Sequence, residues 1–175
     1  ALDYPALYLE WFDNWLKGTG INLFPKIRYF LIHANRWLES PVWPPEKTVM
    51  TPYYIMEGNS LKRTEGNTRG RESFIYDPIN PVRSRGGAVC CTGRPTEISG
   101  AVDQSSLRDR NDVLFYQSEP VSVDITLTGN SIVGLWVSSS AKDTDFMVKL
   151  VDVYPNGKSY NIVDSGVRMR YRDGV

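Results

Sequence analysis

The sequence predicts a mainly β fold, in which a β-sandwich follows one helix and one buried strand. Beyond residue 45, short apolar runs recur between clusters of Gly, Asn and Pro, a spacing typical of antiparallel sandwiches. The clearest pair of runs flanks Pro155-Asn156-Gly157. An Asn-Gly pair favours a tight type I′ hairpin turn, because both residues tolerate positive φ. A length of 175 residues fits one domain or slightly more.

The first predicted element is a helix that begins after Asp3 and ends at Gly18. Asp3 can cap the first turn, Pro5 suits that turn, and glycine commonly ends a helix. Apolar side chains at helical spacing form one face, which we interpret as a packing face rather than a ligand site. Its members are Tyr8, Trp11, Phe12, Trp15 and Leu16.

The second predicted element is a strand over 26–32, whose nearly continuous apolar run predicts burial on both faces. Further strands are predicted at 53–56, 73–76, 113–117, 121–127, 132–137, 146–153, 160–163 and 167–171. The polar stretch 59–71 is predicted to be a solvated loop. Central strands should bury Phe146, Val148, Leu150 and Trp136.

Composition excludes several classes of partner. Twenty basic and twenty acidic residues cancel, so nothing favours binding to nucleic acid or to an anionic membrane. No apolar run approaches the length that spans a bilayer. Cys90 and Cys91 are adjacent and cannot join distant segments, so we interpret them as ordinary thiols. This weakly favours a reducing, cytoplasmic location.

Three polar or aromatic clusters could carry chemistry or binding. Asp143, Asp145 and Asp152 offer oxygen ligands for calcium but lack the spacing of a calcium loop, so turn formation is the preferred interpretation. The alternating charges over 108–112 are interpreted as a network that fixes a loop. As an alternative function, the chain could be a carbohydrate-binding or a purely structural β-sandwich module, and in the first case aromatic rings could stack on the sugar. These rings belong to Trp37, Trp43, Tyr53 and Tyr54.

A family resemblance rests on two long blocks, WVSSSAKDTDFMVKLVDVYPNGKSYN at 136–161 and RMRYRDG at 168–174. Shorter motifs fall in the same order: Asp77-Pro78, Gly86-Gly87, Asp103-Gln104, Arg110-Asn111-Asp112-Val113-Leu114 and Ser118-Glu119-Pro120. The sequence resembles the C-terminal part of the cocaine esterase and Xaa-Pro dipeptidyl-peptidase-like acyl hydrolases, which include α-amino acid ester hydrolases. The resemblance implies a galactose-binding-like jelly roll.

The same resemblance implies two domains. Residues 1–45 would be the C-terminal end of an α/β-hydrolase catalytic domain, and residues 46–175 the N-terminal part of the jelly roll, incomplete at its C-terminus. The chain begins with Ala1 rather than methionine, so we expect it to be part of a longer protein. Unpaired sheet edges would then favour binding to the parent's catalytic domain or formation of a homo-oligomer.

The resemblance implies a serine hydrolase as the parent, which would cleave esters or Xaa-Pro and aminoacyl peptides through an acyl-enzyme. This chain contains no Gly-x-Ser-x-Gly elbow, and its only histidine, His33, lies in an apolar run. We therefore interpret His33 as structural, and assign no catalytic, cofactor or metal residue. The predicted role is that of scaffold and wall of a pocket for a small acyl ester or peptide.

Overall fold

A computed structural model describes residues 2–18, 25–67, 70–89 and 98–174. The chain divides into two compact units. The first comprises Ala1–Met50 and Asp124–Ser131, and the second comprises Thr51–Val123 and Ile132–Val175. The described residues are mainly β, which confirms the predicted class. The assignment of 1–45 to a hydrolase domain and of 46–175 to a jelly roll stays a prediction.

Helix α1, Tyr4–Leu16, opens the first unit and confirms the predicted helix. The Asp3 carboxylate accepts a hydrogen bond from the backbone N–H of Ala6 at 3.1 Å, and Pro5 stands in the first turn. Gly18 follows the last turn with a φ of +61°. The aromatic face is exposed. Trp11 and Trp15 contact each other with ring centroids 5.8 Å apart, yet remain 49% and 65% exposed.

Strands β1, Ile27–Leu31, and β2, Arg36–Ser40, form an antiparallel hairpin. Burial alternates along β1, so the predicted burial on both faces is wrong. The outward face of β1 carries Arg28, which pairs with Glu39 at 3.0 Å. A two-stranded hairpin leaves this face open to solvent, as is common for antiparallel sheets.

A short segment from later in the chain packs in the same unit. The hydroxyls of Thr48 and Thr128 are hydrogen-bonded at 3.1 Å. Gly129 has a φ of +90°, and a Cβ there would lie 3.0 Å from the Pro44 ring. A hydrogen bond and a close contact therefore hold residues 124–131 in the N-terminal unit. No periodic pattern in the sequence predicts either interaction.

The second unit contains a three-stranded sheet of β3, Tyr54–Met56, β4, Ser60–Lys62, and β5, Gln117–Ser118. β3 runs antiparallel to β4, and β4 runs parallel to β5. The predicted loop over 59–71 is thus wrong at its start. Gly58 and Asn59, with φ of +74° and +58°, turn the chain tightly enough for β4 to pair with β3.

The longest hairpin joins β6, Asp145–Val153, to β7, Ser159–Arg168. It confirms the predicted hairpin, although the two predicted strands at 160–163 and 167–171 form one strand followed by a short 3₁₀ turn. The predicted type I′ turn is wrong, because only Gly157 has positive φ, at +84°. Pro155 fixes φ near −65° at the start of the turn, so glycine alone takes the left-handed conformation.

The burial predicted for the sandwich interior is only partly found. Phe146 and Val148 are half-buried, whereas Leu150 is 37% exposed and Trp136 is fully exposed. Within the described ranges, 73–76, 121–127 and 132–137 form no ladder, and no apolar side chain is fully buried. The predicted strands there, and the buried Leu150 and Trp136, are therefore wrong for this structure. A strand requires a hydrogen-bonded partner, and these segments pair with none of the described residues.

Candidate functional site

His33 lies in the turn between β1 and β2, after the apolar run rather than within a strand. Its side chain is exposed. A catalytic histidine needs a nucleophile within hydrogen-bond reach and a group that orients its ring. No serine elbow occurs in the sequence, so the geometry offers no reason to assign His33 to catalysis.

Trp37 and Trp43, two of the four aromatic residues proposed as an alternative carbohydrate platform, do not share a face. Trp43 packs edge-on against Tyr29, with ring centroids 5.4 Å apart, whereas Trp37 packs against Phe30 at 5.2 Å. Tyr29 and Phe30 are adjacent in β1, so their side chains point to opposite faces of the hairpin. Tyr53 and Tyr54 belong to the other unit. The structure does not favour this alternative.

Three buried polar residues cluster in the second unit beside the half-buried Asp103. We call this cluster the polar anchor and define it as Asp103, Gln104, Ser159 and Asn161. Gln104 is 5% exposed, Ser159 3% and Asn161 5%. The Asn161 amide oxygen accepts hydrogen bonds from the backbone N–H of Val102, at 2.8 Å, and from the Gln104 amide, at 3.2 Å. Its amide nitrogen lies 3.2 Å from the carbonyl oxygen of Gly100, to which it donates.

Gln104 extends the anchor to a second irregular segment. Its amide donates to the backbone carbonyls of Arg85, at 2.8 Å, and Val102, at 3.1 Å. The backbone N–H of Gln104 donates to the Ser159 carbonyl at 2.7 Å. Buried backbone groups need such partners, and neither segment obtains them from a regular ladder. The anchor therefore ties two loops to β7.

Asp103 completes the anchor from the side of the loop. One carboxylate oxygen accepts hydrogen bonds from the backbone N–H groups of Ser105, at 3.0 Å, and Ser159, at 3.2 Å. These bonds, that from Ser105 above all, lower the pKa of the Asp103 carboxyl below its usual value. The carboxylate is thus held in its charged form, as an acceptor for two backbone donors.

Two glycines allow the chain to approach the anchor closely. Gly86 has a φ of +72°, and Gly87 exchanges two backbone hydrogen bonds with Gly100, at 2.7 and 2.9 Å. A Cβ on Gly86 would lie 2.6 Å from the Gly100 carbonyl oxygen and 2.9 Å from the Asn161 amide oxygen. The Gly-Gly pair, singled out above only by resemblance, is therefore required by close packing and backbone conformation.

The acidic residues proposed above as calcium ligands have other partners. Asp145 forms two hydrogen bonds with Arg168, at 2.8 and 2.9 Å, and Asp143 pairs with Arg170. The Arg168 guanidinium lowers the pKa of the Asp145 carboxyl. Asp145 thus forms an ion pair across the β6–β7 ladder, and Asp143 forms one with the 3₁₀ turn after β7, instead of the predicted local turns. Within the described ranges, no group of three or more His, Cys, Asp or Glu side chains could hold a metal.

The charged run over 108–112 forms the network that its sequence predicts. Both Asp112 carboxylate oxygens accept from Arg110, each at 2.6 Å, and Arg110 also donates to the Asn80 carbonyl at 2.6 Å. The hydrogen bond from Arg110 lowers the pKa of the Asp112 carboxyl. This network borders an open cleft of about 330 Å³, with Ile75 and Asp77 in its wall. The Arg110 guanidinium already donates to oxygens of Asp112 and Asn80. We therefore interpret the cleft as a structural junction.

Cys90 and Cys91 lie outside the described residues, so their predicted role as ordinary thiols stays a prediction.

No helix in the described ranges has the length and apolar character needed to cross a membrane.

Comparisons with known proteins identify relatives for nearly the whole chain. Residues 19–175 match a family described as the X-Pro dipeptidyl-peptidase C-terminal non-catalytic domain. Over 189 residues the chain is 35% identical to cocaine esterase from Rhodococcus sp. (strain MB1 Bresler), an alignment that covers 99% of the chain and 32% of that protein. It is 28% identical over 182 residues to proteins named as serine esterases in Mycobacterium bovis and Mycobacterium tuberculosis, covering 97% of the chain and 27% of each.

Proposed function

The chain belongs to the family of X-Pro dipeptidyl-peptidase C-terminal non-catalytic domains, and we propose that it is the scaffold of a serine acyl hydrolase. It spans about a third of the length of cocaine esterase and less of the mycobacterial esterases. The proposed parent hydrolyses esters, or Xaa-Pro and aminoacyl peptides, through an acyl-enzyme. Residues outside this chain supply the catalytic serine, and this chain forms part of the wall of the substrate pocket.

One observation carries the proposal, which is the surface that the chain leaves exposed. Within the described ranges, no apolar side chain is fully buried. Large apolar side chains are exposed in each compact unit, among them Trp15 at 65%, Ile75 at 89% and Ile132 at 77%. Extensive exposed apolar surface marks interaction sites in soluble proteins. Such a surface suits a domain that is completed by its parent.

The exposed surface has the composition of an interface. In α1, the aromatic face is open, and four apolar residues at alternate positions over 121–127 are each more than half exposed. They are Val121, Val123, Ile125 and Leu127. Alternation of this kind is the pattern of a strand with one face covered. We propose that this segment and 132–137 pair when the jelly roll closes on the catalytic domain.

Without its parent, the chain is expected to show no hydrolytic activity. The reason is that its sequence contains no Gly-x-Ser-x-Gly elbow to present a nucleophilic serine. The assay follows turnover of an aryl ester and of an aminoacyl-nitroanilide by the purified chain, with His33→Ala as the matched variant. Turnover above the buffer blank that disappears in His33→Ala would place catalysis within this chain and reject the scaffold role.

The isolated chain is also expected to self-associate, because exposed apolar faces and unpaired strand segments associate readily. Light scattering over a dilution series should show a mass above that of the monomer. A control variant, Leu127→Lys, places a charge on the exposed strand face and should shift the distribution towards monomer. A monodisperse wild-type monomer with cooperative unfolding would show that the chain needs no partner, and the proposed docking surface would then be wrong.

A further inference from the structure

The turn between β6 and β7 contains a chemically labile pair, Asn156-Gly157. Of all asparagines in the chain, only Asn156 is followed by glycine. Both residues are exposed at the tip of the hairpin. We propose that Asn156 is a site of spontaneous covalent modification by deamidation, and that the hydrogen bonds of the turn set its rate.

The reaction requires only water and a base. Hydroxide removes the proton from the Gly157 backbone nitrogen, which attacks the Asn156 side-chain carbonyl carbon and forms a carbon–nitrogen bond. Water protonates the side-chain nitrogen and regenerates hydroxide, the bond from the carbonyl carbon to that nitrogen breaks, and ammonia leaves. Water then opens the cyclic imide at one of its two carbonyls, which yields aspartate or isoaspartate. Glycine favours the attack because it has no Cβ to obstruct approach and permits the backbone rotation that ring closure needs.

Both reacting groups form hydrogen bonds in the structure. The Gly157 N–H donates to the Tyr154 carbonyl at 2.9 Å, and the Asn156 amide oxygen accepts from the Lys158 N–H at 3.1 Å. The first bond retains the proton that must leave and orients the nitrogen towards Tyr154. The second bond holds the amide but also polarises its carbonyl, which makes the carbon more electrophilic. Reaction therefore proceeds when the Gly157 bond opens, a local event at an exposed loop tip.

Modification would alter the hairpin near the polar anchor. Either product places a new carboxylate beside Lys158, and isoaspartate also adds one methylene group to the backbone. The register of β6 and β7 follows directly from this turn, with Val153 opposite Ser159. Ser159 and Asn161, both members of the anchor, lie within five residues of Asn156. A longer turn would therefore displace the start of β7 relative to its loop partners.

The experiment incubates the folded chain in mildly alkaline buffer and follows each asparagine-containing peptide by mass spectrometry. Asn156 should convert faster than Asn130, which is exposed but followed by serine, whose Cβ obstructs the attack. The buried Asn161 serves as the second internal reference and should stay intact. The rate should rise with pH, since the attacking nitrogen must lose a proton, and should rise further in urea, which opens the turn.

Two variants separate the chemistry from the fold. Asn156→Ser removes the reacting amide and should abolish the mass change in this peptide while preserving an oxygen acceptor near Lys158. Tyr154→Phe keeps the backbone carbonyl that binds Gly157 and should leave the rate unchanged. Conversion of Asn156 no faster than that of Asn130 in the folded chain, or conversion only in urea, would overturn the proposal.

Discussion

Replacement of Asn161 by alanine is expected to lower the free energy of unfolding by about 1–3 kcal/mol. The change leaves the Val102 N–H without its acceptor, in a region where Asn161 itself is 5% exposed. It also removes one contact from the Gly100 carbonyl, which still accepts from the Gly87 N–H, and one from the Gln104 amide. A buried polar group that loses its partner costs more than the hydrogen bond contributes when both partners are present.

Native-state hydrogen exchange provides the measurement, since it reports local opening as well as global unfolding. The Val102 and Gly87 amides should lose protection in Asn161→Ala. Asn130→Ala is the matched control, because Asn130 is exposed, and its effect should stay within about 0.5 kcal/mol. If Asn161→Ala left the protection of Val102 unchanged, the polar anchor would not be what holds the loop to β7.

The features that the sequence predicts well are local. The capping residue, the spacing of the apolar residues and the terminal glycine predict the helix, which spans Tyr4–Leu16 in the structure. The β6–β7 hairpin was predicted from two apolar runs around a turn pair. In each case the determining interactions lie within a few residues of one another, so propensity and patterning are sufficient.

The features that the sequence does not predict arise from the backbone conformation of single residues or from contacts between distant residues. The left-handed conformation of Gly58 and Asn59 allows β4 to form within a segment whose composition predicts a polar loop. Gly129 lies close to Pro44, which is far away in sequence, and no periodic pattern predicts such a contact. Segment 121–127 shows strand alternation but forms no ladder, because pairing depends on a neighbour that the pattern does not specify.

The candidate site shows the same division. Only the family resemblance indicates Asp103-Gln104 and Gly86-Gly87, and no predicted site includes Asn161. The structure brings them together around β7. The one available signal for Asn161 is its amide at a strand position between apolar residues. Such a side chain must find hydrogen-bond partners when it is buried. Identifying those partners required the three-dimensional structure.

Replacement of Gly86 by alanine is expected to cost about 2–5 kcal/mol, the sum of left-handed backbone strain and a steric clash. At a φ of +72°, the new Cβ would lie 2.6 Å from the Gly100 carbonyl oxygen, a backbone atom that cannot move aside without breaking its bond to Gly87. Gly100→Ala provides a matched control within the same bridge. Its φ is +82°, but a Cβ there has no atom within 4 Å among those described, so only strain of about 1–2 kcal/mol remains.

The difference between the two alanine variants therefore isolates the cost of close approach from the cost of backbone conformation. Urea unfolding, followed by hydrogen exchange at the Gly87 and Gly100 amides, should show Gly86→Ala to be the more destabilising by more than about 1 kcal/mol. Equal effects would mean that conformation alone explains the glycine at position 86. A clear excess would establish that the contact between the Gly86-Gly87 segment and Gly100 is steric as well as polar, and that side chains are excluded where these two backbones meet.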